Sequence, residues 1–382
     1  MKMVRTHSVI AITTIALMTI LFASNTLKPI KLNLLGLITT KRVVFIGYRP
    51  HWNQTRPYQC SCEGGLGLLV NSSDLPRDAR DIQDADLVIF AASGGISPIQ
   101  WDKYQEHRPP GQKWLFATRE SPVTSSLLTP PEKYRFNSFQ WSYTYSPDAS
   151  FPSPYGRYVP AKQPLYSEGE VDWSENKTKF VSWTSSNCPL PAFKWHRRDF
   201  VLKLKKYIGI DMFGKCGDLK CPKLSQECFD KLKTYKFALV LENSCCPYYI
   251  TEKFWKALVH YNQVPIVFGA KREEYEHIAP PNSFIFVEDF KSLEELADYL
   301  LYLDRNNSRY KQYHKWRNQG WAETAVLPNE LINHCDALCK VSSKLKDTSP
   351  KWNMFSFDPY GESWFGGCRS CEDVISHLFI AK

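Results

Sequence analysis

The chain lacks a basic stripe, although its 48 lysine and arginine residues outnumber its 39 aspartate and glutamate residues. Nucleic-acid-binding proteins usually carry such a stripe, so that class is disfavoured. No internal repeat of solenoid length is present, which argues against a repeat array. Long-range disorder is excluded for most of the chain, because 43% of its residues are hydrophobic and 14% are aromatic. The scattered net charge of +9 suits a phosphate or a membrane surface as partner.

The chain also lacks the paired cysteine motifs of a zinc knuckle. Cys368 and Cys371 form one C-x-x-C unit, but no second unit stands at the required spacing, which disfavours a metal site. The chain nevertheless contains twelve cysteines. An abundant, even set in a protein of the secretory pathway indicates disulfides. We therefore expect Cys368 and Cys371 to be oxidised, most simply to each other.

Charged residues are absent from residues 8–27, a run long enough to cross a bilayer as one helix. A cleaved signal peptide is the alternative, but its apolar region is usually shorter and the small-residue cleavage pattern fits poorly here. Lys2 and Arg5 favour a cytoplasmic amino terminus. The sequence therefore predicts a cytoplasmic tail over residues 1–7, a signal anchor over 8–27, a stem over 28–40 and a lumenal remainder.

Candidate N-glycosylation sites agree with a lumenal location. The tripeptide Asn-x-Ser/Thr without proline begins at Asn53, Asn71, Asn176 and Asn306. Each is a weak signal alone, because chance produces such tripeptides. Together they favour passage through the secretory pathway.

Short apolar runs bounded by polar residues are typical of strands that are buried on both faces of a parallel sheet. A first series occupies residues 42–47, 86–92 and 113–118. A second series occupies residues 179–183, 209–213, 237–241, 264–268 and 284–287. Helical patterns separate the later strands at residues 195–206, 251–260 and 292–303. The stretch 121–164 is rich in proline, serine and tyrosine, and we expect long loops there.

This alternation predicts an α/β fold with two domains and a cleft between them. The expected amino-terminal domain covers residues 41–170 and the expected carboxyl-terminal domain covers 171–325. Four cysteines and several aromatic residues in the tail, 326–382, predict that it packs on the two domains.

Polar residues cluster where the predicted strand 237–241 ends. Glu242 and Asn243 follow that strand, and Thr251, Glu252 and Lys253 begin the next helix. Open α/β sheets bind ligands at the carboxyl ends of their strands, facing helix amino termini. Glu252 suits the positive end of a helix, whereas Lys253 opposes it and requires a nearby anion. The cluster indicates a phosphate-bearing ligand.

The chain resembles the α-1,3-fucosyltransferases, which are inverting enzymes with two Rossmann-like domains, the GT-B fold. The resemblance rests on the segment from Leu241 to Lys253 and on four further motifs, and it covers roughly residues 40–325. These motifs are Trp114-(x5)-Glu120-Ser-Pro122, Pro154-Tyr-Gly156, Asp211-Met-Phe-Gly214 and Val264-Pro-Ile-Val-Phe-Gly-Ala270. The spacing of Cys216, Cys221 and Cys228 is more similar to that of invertebrate and plant members that act on the N-glycan core.

The resemblance implies roles for individual residues. It implies that Glu120 is the catalytic base, and that the donor GDP-fucose contacts Arg197, Asn243, Tyr249, Glu252 and Lys253. Basic side chains can stabilise the departing diphosphate, so no metal or other cofactor is obligatory and Mn²⁺ or Mg²⁺ is at most stimulatory. Without the resemblance, Arg197 would be read as part of a solvated helix face and Glu120 as part of a surface ion pair.

Two features depart from this pattern. Ser146 stands where the family usually has an arginine, which puts contacts to acceptor or donor in doubt. Asp84-Ala-Asp86 matches the motif of metal-dependent glycosyltransferases, but it precedes its strand, whereas a metal site should follow one.

The expected function is transfer of L-fucose from GDP-fucose to GlcNAc of N-glycans, with the core GlcNAc favoured as acceptor. The expected location is the Golgi membrane, as a single-pass type II protein with a lumenal catalytic domain. Three alternatives remain: an acceptor in N-acetyllactosamine or LacdiNAc antennae, a different nucleotide-sugar donor, and a catalytically silent relative that binds glycans.

Overall fold

The computed structural model describes residues 39–46, 57–73, 82–91, 95–167, 171–187, 195–222, 225–325, 335–355 and 357–379. The predicted tail 1–7, the anchor 8–27, most of the stem and Asn53 lie outside these ranges. None of the described helices is both long and apolar enough to span a bilayer.

The first sheet has seven strands in the order β2-β3-β1-β4-β5-β6-β7. Its strands are β1 (Thr39–Ile46), β2 (Tyr58–Cys62), β3 (Leu66–Ser73), β4 (Leu87–Phe90), β5 (Lys113–Ala117), β6 (Trp141–Thr144) and β7 (Phe151–Pro152). Neighbouring strands run parallel except β2, which pairs antiparallel with β3 at the edge. Every residue of β4 is buried, as expected of a central strand covered on both faces.

The second sheet has five parallel strands in the order β10-β9-β11-β12-β13. They are β9 (Lys179–Thr184), β10 (Ile210–Phe213), β11 (Tyr235–Leu241), β12 (Val264–Phe268) and β13 (Ile285–Phe286). Two further strands, β8 (Gly156–Pro160) and β14 (Gly320–Thr324), form an antiparallel ribbon. The first residue of β8, Gly156, must be a glycine, because a Cβ there would clash with the ring of Trp255.

Ten α-helices lie within the described ranges. They are α1 (Pro98–Glu106), α2 (Arg197–Leu204), α3 (Gln226–Lys233), α4 (Glu252–Val259), α5 (Arg272–Ile278), α6 (Leu293–Arg305), α7 (Asn307–Gln312), α8 (Cys335–Ser342), α9 (Pro350–Asn353) and α10 (Cys371–Ile375). Helix α6 shows how the sequence determines them: Ser292 caps its amino end, and Leu293, Leu296, Leu300 and Leu303 are buried on one face. Leu296 and Leu300 pack into the core with β11 and β12 residues such as Phe237 and Ile266.

The prediction of long loops over residues 121–164 is wrong in part. Strands β6, β7 and β8 fall in this stretch. The sequence conceals β6 because it combines a buried tryptophan with Ser142 and Thr144, which are also buried. Ser142 and Ser150 each accept a hydrogen bond from the other's backbone N–H, so serine side chains replace part of the strand pairing.

The tail packs on both sheets, and its disulfides differ from the predicted pair. Cys371 is bonded to Cys245 and Cys368 is bonded to Cys246, not to each other. The physical reason is that the tail lies against the loop after β11, where Arg369 donates its backbone N–H to the carbonyl of Cys245 at 2.7 Å.

Further disulfides join distant parts of the chain. Helix α8 is fastened to β2 by Cys60–Cys335 and Cys62–Cys339. A local bridge joins Cys221 to Cys228 at the start of α3. The tail is therefore covalently attached to the edge of the first sheet and to the loop after β11.

Candidate active site

The strand orders place a cleft at the carboxyl edge of each sheet. In the second sheet the chain passes from β9 to β10 on one side and returns to β11 on the other, so the loops after β9 and β11 diverge. In the first sheet the same reversal occurs between β3, β1 and β4. Ligands of doubly wound sheets bind at such reversals, and the predicted donor residues lie at the second one.

Glu242 is a buried carboxylate at the carboxyl end of β11, and it organises this edge. Its side chain is 0% exposed. It accepts hydrogen bonds from the backbone N–H of Thr251 at 2.8 Å and from the Thr251 hydroxyl at 2.9 Å. Gly269, at φ 150°, lies opposite, where a Cβ would come within 2.8 Å of the Glu242 side chain. The sequence places Glu242 in the polar cluster after the strand, but its contacts with Thr251 depend on packing and are not visible in the sequence pattern.

Lys253 forms an ion pair with Glu242. Its Nζ lies 2.9 Å from Glu242 Oε2 and 2.8 Å from Thr251 Oγ1. A lysine in the first turn of α4 requires a nearby anion, and the Glu242 carboxylate supplies part of this negative charge. An ammonium group has three donors, so one remains for a ligand, and a quarter of the side chain is exposed. Burial alone would lower the pKa of Lys253, but Glu242 and Glu252 outweigh it and the pKa lies above its ordinary value.

Arg197 opens helix α2 and is only 7% exposed, which excludes a solvated helix face. Its guanidinium donates to the carbonyl of Leu241 at 3.2 Å and to the carbonyl of Asn187 at 2.8 Å. The carbonyl of Leu241 is at the end of β11 and that of Asn187 is in the loop after β9, so Arg197 links these two segments. Burial lowers the pKa of Arg197, and the Glu242 carboxylate partly offsets this.

Asn243 and Glu252 are sequence neighbours of the Glu242–Lys253 ion pair, Asn243 after Glu242 and Glu252 before Lys253. The side-chain oxygen of Asn243 is buried and has no hydrogen-bond partner among the described residues. Glu252 is 47% exposed at the start of α4, and its carboxylate is 3.8 Å from Lys253 Nζ. Burial raises the pKa of Glu252, but Lys253 and other groups more than offset it, so that the pKa is lowered and the group is an ionised acceptor near neutral pH.

The predicted base, Glu120, follows a strand of the first sheet but contacts the loop after β11 of the second sheet. Glu120 follows β5 and is exposed. The hydroxyl of Tyr249, in the loop after β11, donates to Glu120 Oε2 at 3.1 Å. Burial raises the pKa of Tyr249 well above its ordinary value, so this hydroxyl remains a donor. The carboxyl edges of the two sheets therefore face each other across the Glu120–Tyr249 contact.

Two further tyrosines surround this contact, and sequence reasoning missed one of them. Tyr155 donates its hydroxyl to the carbonyl of Arg119, and the Arg119 guanidinium stacks 4.2 Å from the Tyr155 ring centre. The ring centre of Tyr145, which had no predicted role, is 5.2 Å from that of Tyr249. Its only available signal was its place in the serine- and tyrosine-rich segment after β6.

Ser146 lines a cavity instead of filling it. The cavity has a volume of about 260 Å³ and also contacts Ser142, Thr144, Trp352 and Trp364. Ser146 accepts a hydrogen bond from the backbone N–H of Asp148, so a neutral hydroxyl occupies the position where the family pattern expects a guanidinium. The charged side chains that line this cavity are Asp148 and Lys351.

The Asp-x-Asp motif lies at the opposite edge of its sheet. Asp86 accepts from Lys41 Nζ at 2.6 Å and from the backbone N–H of Arg42 at 2.8 Å. Asp84 accepts from the Arg42 guanidinium at 2.9 Å. These aspartates tie the amino end of β4 to β1. Within the described ranges, no three metal-binding side chains gather at one point.

The described sequons differ in their surroundings. Asn176 is exposed in a turn with φ 62°. Asn306 caps α7 and accepts from the backbone N–H of Arg309 at 3.2 Å. Asn71 lies within β3, where its side-chain oxygen is buried without a partner among the described residues.

Two largely parallel α/β sheets with facing carboxyl edges, a basic pair on one edge and a carboxylate on the other are typical of a glycosyltransferase of the GT-B class. The sequence matches two family descriptions, "Fucosyltransferase, N-terminal" over residues 40–156 and "Glycosyltransferase family 10 (fucosyltransferase) C-term" over residues 174–356. The chain belongs to glycosyltransferase family 10, the fucosyltransferases.

Curated relatives come from insects, nematodes and vertebrates. A Drosophila melanogaster "Glycoprotein 3-alpha-L-fucosyltransferase A" is 39% identical over 56% of this chain and 42% of its own length. A Caenorhabditis elegans "Alpha-(1,3)-fucosyltransferase fut-1" is 36% identical over 55% of this chain and 47% of its length. A Bos taurus "3-galactosyl-N-acetylglucosaminide 4-alpha-L-fucosyltransferase FUT3" is 36% identical over 78% of this chain and 73% of its length. The chain therefore spans less than half the length of the first two.

A solved "alpha1,3-Fucosyltransferase" is similar in fold. It superimposes with a TM-score of 0.51 over 86% of this chain and 96% of its own, at 17% sequence identity. At this identity the similarity extends to the fold only, and it agrees with the predicted arrangement of two α/β units.

Proposed function

We propose that the protein is an inverting α-1,3-fucosyltransferase that transfers L-fucose from GDP-β-L-fucose to GlcNAc of N-glycans. The observation that carries this proposal is the contact between Glu120 and Tyr249. It brings a carboxylate of one sheet to the same cleft as the basic residues of the other. Family membership supports fucose as the transferred sugar.

In the proposed reaction, Glu120 takes the proton of the attacking acceptor hydroxyl. An inverting transfer needs one carboxylate for this step, because the acceptor attacks as the bond to the diphosphate breaks. The Tyr249 hydroxyl holds Glu120 in place by its hydrogen bond to Oε2. The anomeric carbon gains oxocarbenium character and inverts from the β-linked donor to the α-linked product.

The second sheet then stabilises the charge that develops on the leaving GDP. The third donor of Lys253 contacts a phosphate. Two donors of the Arg197 guanidinium hold the carbonyls of Leu241 and Asn187, and its remaining donors contact the diphosphate. Fixed cations at this point do the work that a metal does in Asp-x-Asp enzymes, which agrees with the structural use of Asp84 and Asp86. Glu252 accepts hydrogen bonds from sugar hydroxyls.

The core GlcNAc is the favoured acceptor. The spacing of Cys216, Cys221 and Cys228 supports this, as does the 39% identity to an insect relative whose name describes a glycoprotein as its substrate. Antenna N-acetyllactosamine is the alternative, since a Homo sapiens relative named "4-galactosyl-N-acetylglucosaminide 3-alpha-L-fucosyltransferase FUT5" is 32% identical.

We also propose a single-pass Golgi location with a lumenal catalytic part. Its support is the charge-free run 8–27 together with the disulfides, which form in oxidising compartments.

A donor and acceptor matrix tests the proposal. The purified chain is incubated with GDP-fucose, GDP-mannose, UDP-GlcNAc or UDP-galactose and with a core N-glycopeptide, N-acetyllactosamine or its GalNAc analogue. We expect transfer from GDP-fucose alone, which EDTA does not abolish, with the glycopeptide as the preferred acceptor. Transfer from another donor would contradict the function. No transfer at all together with glycan binding would favour the silent relative.

A further inference from the structure

Tyr145 is a buried tyrosine whose hydroxyl has no hydrogen-bond partner in the described part of the chain. The side chain is 3% exposed. A buried hydroxyl without a partner loses its hydration and gains nothing in return, so such groups are rare in native proteins. One that lies beside a reaction centre has a natural explanation, because a bound ligand can supply the missing partner.

The position of Tyr145 places it at that centre. Its ring centre lies 5.2 Å from that of Tyr249, whose hydroxyl donates to Glu120. The ring of Tyr155 lies 6.4 Å away on another side, and that of Trp364 lies 5.4 Å away. Tyr145 therefore packs against the tyrosine that binds the carboxylate of Glu120.

The neighbouring tyrosines have already used their hydroxyls. Tyr249 donates to Glu120 and Tyr155 donates to the carbonyl of Arg119. Tyr145 keeps its proton as well, because burial and then the nearby Tyr155, Glu274 and Glu120 raise its pKa well above the ordinary value. It is thus an unused neutral donor and acceptor.

The chemistry of this group selects a sugar and not a phosphate. A neutral phenol pairs with a sugar hydroxyl or an amide carbonyl, whereas a diphosphate is better served by the cationic Lys253 and by Arg197. Tyr145 also follows β6, which pairs with β5, the strand that ends before Glu120. It therefore belongs to the sheet that carries the base and not to the sheet that carries the basic pair.

We propose that the Tyr145 hydroxyl binds the acceptor sugar and holds its reacting hydroxyl toward Glu120. This inference rests on the proposed fucosyltransferase function. It makes Tyr145 an acceptor-binding residue in addition to the residues that the family resemblance assigns.

The test is Tyr145→Phe, which removes the hydroxyl and keeps the ring. The acceptor KM should rise about three- to tenfold, as expected for one lost neutral hydrogen bond. GDP affinity by calorimetry should stay within about twofold of wild type, since the phosphate sites are untouched. The melting temperature should not fall, because the Tyr145 hydroxyl has no partner to lose among the described residues.

Tyr310→Phe is the matched control. The Tyr310 hydroxyl donates to the carbonyl of Lys236 at 3.0 Å, at the amino end of β11. Its loss should lower the melting temperature and leave the acceptor KM unchanged, which is the opposite signature.

Binding of the glycan is measured separately by saturation-transfer NMR in the presence of GDP, so that the two proposals fail independently. If the wild type transfers no fucose, the proposed function fails, yet weaker glycan binding by Tyr145→Phe would still uphold the role of Tyr145. Equal glycan affinity of the two proteins, no glycan binding by the wild type, or a loss of GDP-fucose affinity instead would overturn it.

Discussion

At the residue scale, Lys253 has two functions: it pairs with Glu242 and it can bind a ligand. It neutralises Glu242, a carboxylate that is 0% exposed, and one of its donors remains for a ligand. Removing Lys253 would leave a buried charge unpaired, which typically costs about 3–5 kcal/mol. A simple alanine substitution therefore cannot separate a role in binding from a role in folding.

The paired substitution Glu242→Gln with Lys253→Met separates these roles. Neutralising both partners removes the unpaired charge, so the double variant should be more stable than Lys253→Met alone. If Lys253 binds the diphosphate, the double variant should still bind GDP at least tenfold more weakly than wild type in calorimetry. The control is Lys256→Met, which changes an exposed lysine of the same helix and should leave GDP affinity unchanged. Wild-type GDP affinity in the double variant would refute the contact.

Glu120→Gln tests the base. The amide cannot accept a proton but can still accept the Tyr249 hydrogen bond, so the loop should keep its position. Turnover should fall by about a hundredfold or more, the usual contribution of general base catalysis, while GDP affinity stays near that of wild type. Comparing kcat with calorimetric GDP affinity checks this, and equal losses in both would argue against the assignment.

At the scale of secondary-structure elements, apolar runs made most strands predictable. Strand β12 occupies residues Val264–Phe268 as predicted, because five consecutive buried positions need five apolar residues. Strand β6 was hidden because its buried positions include Ser142 and Thr144, which mimic a loop composition. Burial depends on neighbouring strands, and a single sequence does not reveal which neighbours a polar strand acquires.

For the candidate site too, local sequence features were predictable and contacts between distant segments were not. The residues after β11 were predictable, because polar groups directly after an apolar strand mark a sheet edge. The Glu120–Tyr249 contact and the role of Glu242 were not predictable from residue patterns, since they depend on packing between distant segments. The disulfide partners of Cys368 and Cys371, which lie more than a hundred residues earlier in the chain, were missed for the same reason.

The tail disulfides should contribute more stability than the local one. Cys245–Cys371 closes a loop of 126 residues, whereas Cys221–Cys228 closes one of 7. Cys246–Cys368 closes nearly the same loop, so the long loop reopens only when both tail bridges are removed. Loop-closure entropy then predicts a loss of about 5 kcal/mol, against about 2.4 kcal/mol for the local bridge. Replacing all four cysteines of the two tail bridges by serines in one variant, and Cys221 and Cys228 in another, and measuring chemical unfolding compares them. A larger loss on removing Cys221–Cys228 would contradict the view that the tail fastens the fold.

At the scale of the whole molecule, the tail links the two sheets. Arg135 pairs with Asp358 through two hydrogen bonds, which ties the tail to the segment before β6. Arg369 pairs in the same way with Glu288, which follows β13. Together with the disulfides, these ion pairs hold the two sheets together at their facing edges.

Stability of the whole molecule should fall in acid because of His314. It is 4% exposed, and burial, Arg317 and Lys177 lower its pKa well below the ordinary value. The unfolded chain then binds the proton first, so stability is lost as the pH falls below about 6.5, at up to about 1.4 kcal/mol per pH unit. Unfolding curves at pH 5 and pH 7 give the change in the free energy of unfolding between the two pH values, and this change should be smaller for His314→Asn than for wild type. The control is His277→Asn, at an exposed histidine, which should show the same change in unfolding free energy as wild type. If His314→Asn also showed the wild-type change, His314 would not be the cause of the acid destabilisation.

The most direct test of the central claim is an NMR analysis of the product that the full chain forms from GDP-β-L-fucose and a core N-glycopeptide. We expect a new α-anomeric fucose proton, with the linkage at O3 of GlcNAc, and loss of this signal in Glu120→Gln. A β-linked product, or an undiminished signal in Glu120→Gln, would contradict an inverting transfer in which Glu120 is the base.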